Sequence, residues 1–251
     1  MTFLRDTGLV FWSQLRSNLR NPVWVIIGLT QPILYLVLFG PLLKGVAGSF
    51  GADPWKLLTP ALVIQIGLFG AMFAGFGIVG ELRAGVVERQ RVTPAPRGAL
   101  LVGRVLKDMA VLIVQALVLV GVAMTAFGLR PDPLGLVLSV LLISVMAAGL
   151  ASASYALGLW AREESTLASV LNSVSVPIML LSGILLPMNV GPTWLQNIAK
   201  ANPFSHTVDA ARALFRGDFG STDVYVGTIV TVAVALLLMV IGARSFAREN
   251  A

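Results

Sequence analysis

The chain has 251 residues, of which 57% are hydrophobic and only 12% are charged, whereas soluble domains carry about 25% charged residues. This composition indicates an integral membrane protein and leaves room for roughly six helical spans of about 20 residues each. The absence of cysteine excludes disulfides and thiolate metal sites. The net charge is +6, and the basic residues lie in short loops beside apolar runs, which is typical of a membrane protein and not of nucleic-acid binding.

The first 21 residues are predicted to form an amphipathic helix that lies on the membrane surface. In a helical arrangement, one continuous face carries Leu4, Gly8, Phe11, Trp12, Leu15 and Leu19. The opposite face is polar and basic, which is typical of interfacial helices. No small-residue cleavage site closes a shorter apolar core, so we expect this segment to be retained.

Six apolar stretches predict an all-α integral membrane protein with one transmembrane domain over residues 1–251. The predicted spans are residues 23–43, 57–79, 98–129, 134–160, 167–186 and 224–243. Gln31-Pro32 lies in the middle of the first span and predicts a kink there. The fifth span is the most polar of the set. Small residues in the second and fourth spans, among them Gly75 and Ser154, predict close helix packing.

The connections between these spans differ in character. Residues 44–56 are rich in glycine and predict a loop, whereas residues 81–97 carry two acids and four arginines. The third helix is expected to begin near Pro94 or Pro96, with Thr93 as a cap. Its early charges are expected in the headgroup zone, and they are Arg97, Arg104, Lys107 and Asp108.

A longer segment, residues 187–223, is too polar to cross a membrane. Two runs with helical spacing flank Asn202-Pro203, and they predict two short amphipathic helices that dip into the interface in re-entrant fashion.

The distribution of basic residues predicts the orientation. Six spans place both termini on one face, and twelve of the 18 lysines and arginines fall there, together with residues 81–97. Because cytoplasmic loops carry an excess of Lys and Arg, we expect both termini and this segment in the cytoplasm. Arginine outnumbers lysine, which is typical of a GC-rich bacterial source.

The sequence contains no recognisable motif for ATP binding or catalysis. It contains no Gly-x-x-x-x-Gly-Lys-Ser/Thr phosphate loop, so if ATP powers this protein another chain must bind it. His206, the only histidine, lies outside the spans, where a structural role is favoured over a catalytic one. The apolar cores of the six spans, with the third counted from Met109 to Leu129, contain no Asp, Glu, Lys, Arg or His, which disfavours a proton-driven carrier. We predict no enzymatic activity, metal site or cofactor in this chain.

Several distinct motifs occur in a characteristic order along the chain. They are the basic amphipathic N-terminus ending in Arg20-Asn21-Pro22, then Gln31-Pro32, Glu81-Leu-Arg-Ala-Gly85 to Glu88-Arg-Gln-Arg-Val-Thr-Pro94, Gly103-Arg-Val-Leu-Lys-Asp108, and Asn202-Pro203 before the last span. This arrangement resembles the membrane subunit of a type 2 ATP-binding-cassette exporter, and most nearly the daunorubicin-resistance-like permeases. The resemblance covers nearly the whole chain.

The resemblance implies a two-copy permease that works with two copies of a cytoplasmic ATPase, which bind ATP and magnesium. It leaves open whether the two permease copies are identical. It also implies that residues 81–97 form a coupling helix in a cleft of the ATPase, with the N-terminal helix beside it. The transport path would run at the dimer interface, near the first, second and fifth spans.

On this resemblance, the residues that would couple to the ATPase are Glu81, Arg83, Gly85, Glu88, Arg89, Arg91, Thr93 and Pro94. Mixed charges can pair specifically with a soluble surface. The alternative is that the arginines anchor the loop to anionic lipid, which would not need the interleaved acids.

Uncharged polar, aromatic and methionine side chains in three spans are candidates for lining the path. They are Gln31, Tyr35, Gln65, Phe69, Asn172, Ser175 and Met179. Polar groups within a span are expected to face protein or water and not lipid. For each of them, ordinary packing or hydrogen bonding between helices is an equal alternative.

The resulting hypothesis is an export permease in a bacterial cell membrane for hydrophobic or amphiphilic compounds, such as a drug, an antibiotic or a lipid-like molecule. One alternative is a permease for a glycan or glycolipid, which the low aromatic content of 8% disfavours. Another is a membrane scaffold that transports nothing and needs no ATPase.

Overall fold

The computed structural model describes residues 2–21, 23–47, 54–91, 96–184 and 191–249, and every regular element in these ranges is an α-helix. The helices are α1 (Thr2–Arg20), α2 (Val23–Ala47), α3 (Pro54–Met72), α4 (Gly75–Arg83), α5 (Val86–Arg91), α6 (Arg97–Phe127), α7 (Pro133–Ala161), α8 (Glu164–Leu181), α9 (Thr193–Ala201), α10 (Pro203–Arg216) and α11 (Thr222–Glu249).

Six segments of the described chain are long and apolar enough to cross a membrane. They are Val25–Leu42, Trp55–Arg83, Arg97–Phe127, Pro133–Ala161, Glu164–Leu181 and Thr222–Phe246. The predicted all-α membrane fold with six spans is confirmed. Several bounds differ from the prediction, because α2 and α3 extend into the expected loop at residues 44–56 and α11 continues to Glu249.

The helix α7 lies at the centre of the bundle. It packs against α11, α3, α10, α6 and α4, and most of its side chains between Ser139 and Leu159 are buried. Its first turn is capped by Asp132, whose carboxylate accepts a hydrogen bond from the Gly135 amide at 2.8 Å. By contrast, α2, α8 and α11 lie at the outside of the single chain and are largely exposed.

The second span is interrupted, in contrast to the single helix that its apolar run predicts. The helix α3 ends at Met72, a turn occupies Phe73 and Ala74, and α4 begins at Gly75. The Ser154 hydroxyl of α7 accepts a hydrogen bond from the Gly75 amide at 2.9 Å and donates one to the Met72 carbonyl. A side chain from another helix therefore satisfies backbone groups at the break, which apolar membrane surroundings could not do.

Close backbone contact joins α4 to α7, as the small residues predicted. A Cβ atom added at Gly158 would lie 2.6 Å from the Gly75 carbonyl oxygen, and one added at Gly75 would lie 2.4 Å from the Ser154 carbonyl oxygen. Neither position has room for a side chain, so α4 is held directly against the central helix.

The segment before the last span contains two helices, as predicted, but only α9 keeps the exposed apolar side chains expected at an interface, Trp194 and Ile198. The helix α10 packs into the bundle, and its depth in the membrane stays a prediction. Ten of its 14 residues are buried, and it packs against α11, α7 and α3. The apolar side of α10 packs against other helices. Helical periodicity shows that one side is apolar but does not show whether that side contacts lipid or protein.

Candidate functional site

The coupling candidates lie on α4, α5 and the turn between them. Gly85 has a φ of 65°, which glycine adopts readily, and it lets the chain reverse from α4 into the short helix α5. The Arg89 guanidinium donates to the carbonyls of Ala84 and Gly85, each at 3.1 Å. Val87 is buried while Glu88 and Arg89 are exposed, so α5 is anchored on one side and presents charges on the other.

Glu81 faces into the protein. Its carboxylate accepts hydrogen bonds from the Arg104 guanidinium of α6 and from the Gln14 amide of α1, the latter at 2.8 Å. The Arg104 side chain is only 3% exposed. The carboxylate thus joins three helices of the same chain, and the predicted contact of Glu81 with the ATPase stays a prediction.

Arg83 lies on the surface and forms an ion pair with Glu164 at 3.0 Å, with both side chains more than half exposed. This pair connects the end of α4 to the start of α8. Of the remaining coupling candidates, Arg91 is the last residue of α5, and Thr93 and Pro94 lie outside the described residues. The helix α6 begins after Pro96, in agreement with one of the two predicted starts.

The charges at the start of α6 contact protein. The Arg104 guanidinium is buried and lies 5.9 Å from the centroid of the Phe246 ring. One turn further, the Asp108 carboxylate pairs with Lys107 and accepts a hydrogen bond from the Tyr155 hydroxyl at 2.5 Å. Sequence reasoning missed these contacts, although acidic and basic residues spaced along one apolar helix were a usable signal.

Two path candidates on the outer helices α2 and α8, Gln31 and Asn172, face outward. The helix α3 packs against both α2 and α8. Gln31 on α2 is exposed and donates to the Tyr35 hydroxyl at 3.1 Å, and Tyr35 makes an edge contact with the Phe39 ring. Asn172 on α8 is also exposed, whereas Met179 is half-buried against the core.

Two other path candidates face the interior of the single chain. Gln65 and Ser175 are each 1% exposed, and their side-chain polar atoms have no hydrogen-bond partner among the described residues. Phe69 is half-buried and stacks on Phe73, with ring centroids 5.8 Å apart, and Phe73 in turn contacts Phe76 at 5.7 Å. The predicted set thus divides into outward-facing, half-buried and buried members.

The opposite end of the bundle contains a buried arginine that sequence reasoning treated only as one more basic residue. Arg212 of α10 is 5% exposed, and its guanidinium donates to the carbonyls of Gly183 at 2.9 Å, Ile184 at 3.4 Å and Leu57 at 3.4 Å. The nearest carboxylate oxygen, on Asp209, is 4.0 Å away. Burial lowers the pKa of Arg212 to about 10, so it remains charged at neutral pH.

His206 has the structural role that the sequence favoured, because its Nε2 atom lies 2.9 Å from the Lys200 carbonyl oxygen, between α9 and α10. Within the described residues, no group of three or more His, Asp and Glu side chains is placed to hold a metal ion.

The family model of the ABC-2 type transporter matches residues 5–215, which include α1, the coupling candidates and nearly all of α10. The chain belongs to the ABC-2 type transporter family. It is therefore a multi-pass membrane protein and a permease, and an ABC ATPase subunit is its partner.

Curated relatives of this ABC-2 permease have related names. The daunorubicin resistance ABC transporter permease protein DrrB1 of Streptomyces coeruleorubidus is 25% identical over 242 residues, which cover 96% of this chain and 85% of the relative. The "Probable doxorubicin resistance ABC transporter permease protein DrrC" of Mycobacterium tuberculosis is 25% identical over 203 residues, which cover 79% of this chain and 72% of the relative. These names support the export hypothesis, and neither supports the glycan or scaffold alternative.

Proposed function

We propose that this ABC-2 permease exports hydrophobic or amphiphilic compounds, such as drugs, antibiotics or lipid-like molecules, from a bacterial cell. Two copies of the chain would form the path, and two copies of a separate ATPase would bind ATP and magnesium and drive the cycle. The observation that carries this proposal is the anchored α4–α5 unit, which presents exposed charges at one end of an apolar bundle.

The exposed charges of α5 are suited to docking on a soluble partner. Glu88 and Arg89 give opposite charges within one turn, which favours a specific protein surface over anionic lipid. We assign Glu88, Arg89 and Arg91 to the ATPase contact, with the adjoining Thr93-Pro94. Glu81 and Arg83 hold α4 in place through their bonds to other helices, and Gly85 shapes the turn.

Movement of α5 would be transmitted to the path through α4. The Arg89 bonds to the α4–α5 turn and the buried Val87 resist independent motion of α5. The helix α4 leads through the break at Phe73 into α3, which carries two path candidates, Gln65 and Phe69. In this arrangement both termini and residues 81–97 are cytoplasmic, in agreement with the excess of basic residues there.

The outward-facing polar side chains support a dimer with the path at its interface. Gln31 and Asn172 are exposed in the single chain although their helices are apolar. Polar groups at membrane depth face protein or a water-filled cavity and not lipid. A second copy packed against α2 and α8 would place protein and a water-filled path beside these polar groups. If the two copies are identical, each would use the same surface.

The side chains near this face suit an apolar cargo. Phe69, Phe73 and Phe76 form a half-buried row of rings along α3 and α4, and space remains open beside Gly70 and Gly77 on the same segment. Aromatic and uncharged polar groups around an apolar cleft are typical of sites for largely hydrophobic ligands.

Reversing the charges of α5 tests the proposal. We expect the double substitution Glu88→Arg with Arg91→Glu to weaken copurification of the ATPase by about tenfold or more, since like charges across a docking surface cost several kcal/mol. ATP hydrolysis stimulated by the permease should fall in parallel. The matched control is Arg216→Glu, an exposed charge reversal at the other end of the bundle, which should leave assembly intact. Unchanged assembly and hydrolysis in the double variant would overturn the docking assignment.

A further inference from the structure

The burial of Arg212 demands an explanation beyond stability. A buried guanidinium is unfavourable unless its charge is compensated, and here the hydrogen-bond acceptors are backbone carbonyls and not a carboxylate. Asp209 is the nearest acid, but its side chain is 55% exposed and 4.0 Å away. Burial raises the pKa of the Asp209 carboxyl. A leucine at position 212 could fill this place without the charge.

The three carbonyls that Arg212 binds come from two different spans. Leu57 lies in the first turn of α3, whereas Gly183 and Ile184 follow the end of α8. Both sites lie at the end of the bundle opposite the coupling segment, because α3 leads down to α4 and because Glu164, at the start of α8, pairs with Arg83. One side chain thus ties together the far ends of the second and fifth spans.

The helix that carries Arg212 is itself firmly seated. The Thr207 hydroxyl lies 2.8 Å from the Thr231 hydroxyl of α11, and Asn202 caps the first turn through the Phe204 amide at 3.0 Å. At the other end, a Cβ added at Gly135 of α7 would lie 1.9 Å from the Leu214 carbonyl oxygen. The helix α10 is therefore held in place by α7 and α11, whereas α8 is largely exposed in the single chain.

We propose that Arg212 is a positioning residue of an external gate, where its bonds to the carbonyls of Leu57, Gly183 and Ile184 hold the ends of the second and fifth spans together until transport breaks them. This inference rests on the proposed function, in which these two spans flank the path. Backbone carbonyls suit a reversible tie, because each hydrogen bond to them is exchanged for one to water when the ends separate.

The chain has no cysteine, so accessibility can be read from a single introduced thiol. Ile184→Cys places the thiol at a position that is 1% exposed and keeps the carbonyl that Arg212 binds. The reagent is a membrane-impermeant maleimide added from outside to proteoliposomes of the full chain. Gly220→Cys, in an exposed turn at the same end with open space around it, is the reference for unhindered labelling.

In the permease without its ATPase, we expect Arg212→Gln to raise the labelling rate of Ile184→Cys about tenfold or more, because hydrogen bonds from a charged group are lost. Arg216→Gln, one turn further along α10 and exposed, should leave the rate unchanged. If Arg212→Gln does not yield folded protein, Arg212→Lys keeps the charge but replaces the planar fork with a single ammonium, and the same increase is expected. An unchanged rate in a folded Arg212 variant would overturn the proposal.

A second arm needs no Arg212 substitution. In the complex with its ATPase, trapping by ATP and vanadate should raise labelling of Ile184→Cys in the otherwise unchanged chain, while Gly220→Cys is labelled equally in both states. If trapping leaves Ile184→Cys protected although ATP is hydrolysed, the tie does not open during the cycle and the gate is excluded, while the permease function stands. If the α5 charge-reversal test fails, the labelling rates of Ile184→Cys in the permease alone still test the role of Arg212, because that measurement contains no ATPase.

Discussion

Two charged residues of α4, Glu81 and Arg83, are neighbours in sequence and have different surroundings. Glu81 bonds to the buried Arg104 and to Gln14, whereas Arg83 pairs with Glu164 in solvent. Removing one partner of a buried pair leaves an uncompensated charge, while exposed pairs contribute about 0–1 kcal/mol. Position in the sequence therefore says little about the contribution of either residue.

This contrast predicts different effects of two matching substitutions. Glu81→Gln should destabilise the protein by about 1–3 kcal/mol, because the Arg104 guanidinium loses its charged partner. Arg83→Gln should change stability by less than about 1 kcal/mol. Thermal unfolding of both variants in the same detergent gives the comparison. Equal unfolding temperatures would show that the internal role of Glu81 is wrong.

Residue-level predictions from sequence were limited by the direction of side chains. The sequence places Glu81 and Glu88 in one charged segment. In the structure Glu81 lies on α4 and faces other helices, whereas Glu88 lies on α5 and is exposed. For the same reason Gln31 and Gln65 read alike as polar residues of a span, although one is exposed and the other is 1% exposed. Direction depends on neighbouring helices, which sequence periodicity does not identify when all faces are apolar.

At the scale of elements, the break between α3 and α4 depends on a hydroxyl from α7. Ser154 bonds to both sides of the break, whereas the equally buried Ser152 bonds only to the Ala148 carbonyl of its own helix, at 2.8 Å. Bonds of the second kind are common in helices and contribute little to tertiary packing. The two serines therefore form a natural pair for comparison.

We expect Ser154→Ala to destabilise the protein by about 1–3 kcal/mol, because it leaves buried backbone groups at Met72 and Gly75 without their side-chain partner. Ser152→Ala should cost less than about 1 kcal/mol. Hydrogen exchange of the Gly75 amide, followed by mass spectrometry, should accelerate only in the first variant. Equal exchange in both variants would contradict a supporting role for Ser154.

The helices were largely predictable, because long apolar runs indicate where they lie and proline or glycine residues indicate where they begin and end. The start of α6 after Pro96 and the division between α9 and α10 at Asn202 follow from such signals. The break at Phe73 did not, because both halves of the second span are equally apolar and its support comes from Ser154, about 80 residues away in sequence. The burial of α10 was missed because its apolar stripe fits lipid and protein equally well.

At the scale of the whole molecule, three outer helices expose apolar faces, and two of them, α2 and α8, also expose a side-chain amide, Gln31 and Asn172. The exposed face of α11 carries Ile229, Leu236 and Leu237 and suits lipid. The difference predicts which side of the bundle meets a second copy.

Single cysteines test that prediction without background from native thiols. Asn172→Cys and Gln31→Cys should each be linked into dimers by a bifunctional maleimide in membranes, because a two-fold interface places the same surface of both copies together. Leu236→Cys on α11 should remain monomeric. Crosslinking through position 236 in preference to positions 31 and 172 would place the interface on the opposite side and remove the path from α2 and α8.

The seat of α10 also has a consequence for how the chain is made. This helix leaves the ribosome before α11, yet its Thr207 hydroxyl meets Thr231, and Gly227 passes so close that an added Cβ would lie 2.4 Å from the His206 carbonyl oxygen. Until the last span has been synthesised and inserted, α10 lacks the contacts that α11 provides. This end of the bundle is thus completed only once α11 is in place, and a chain that stops before α11 would leave the helix of the buried Arg212 without its contacts to α11.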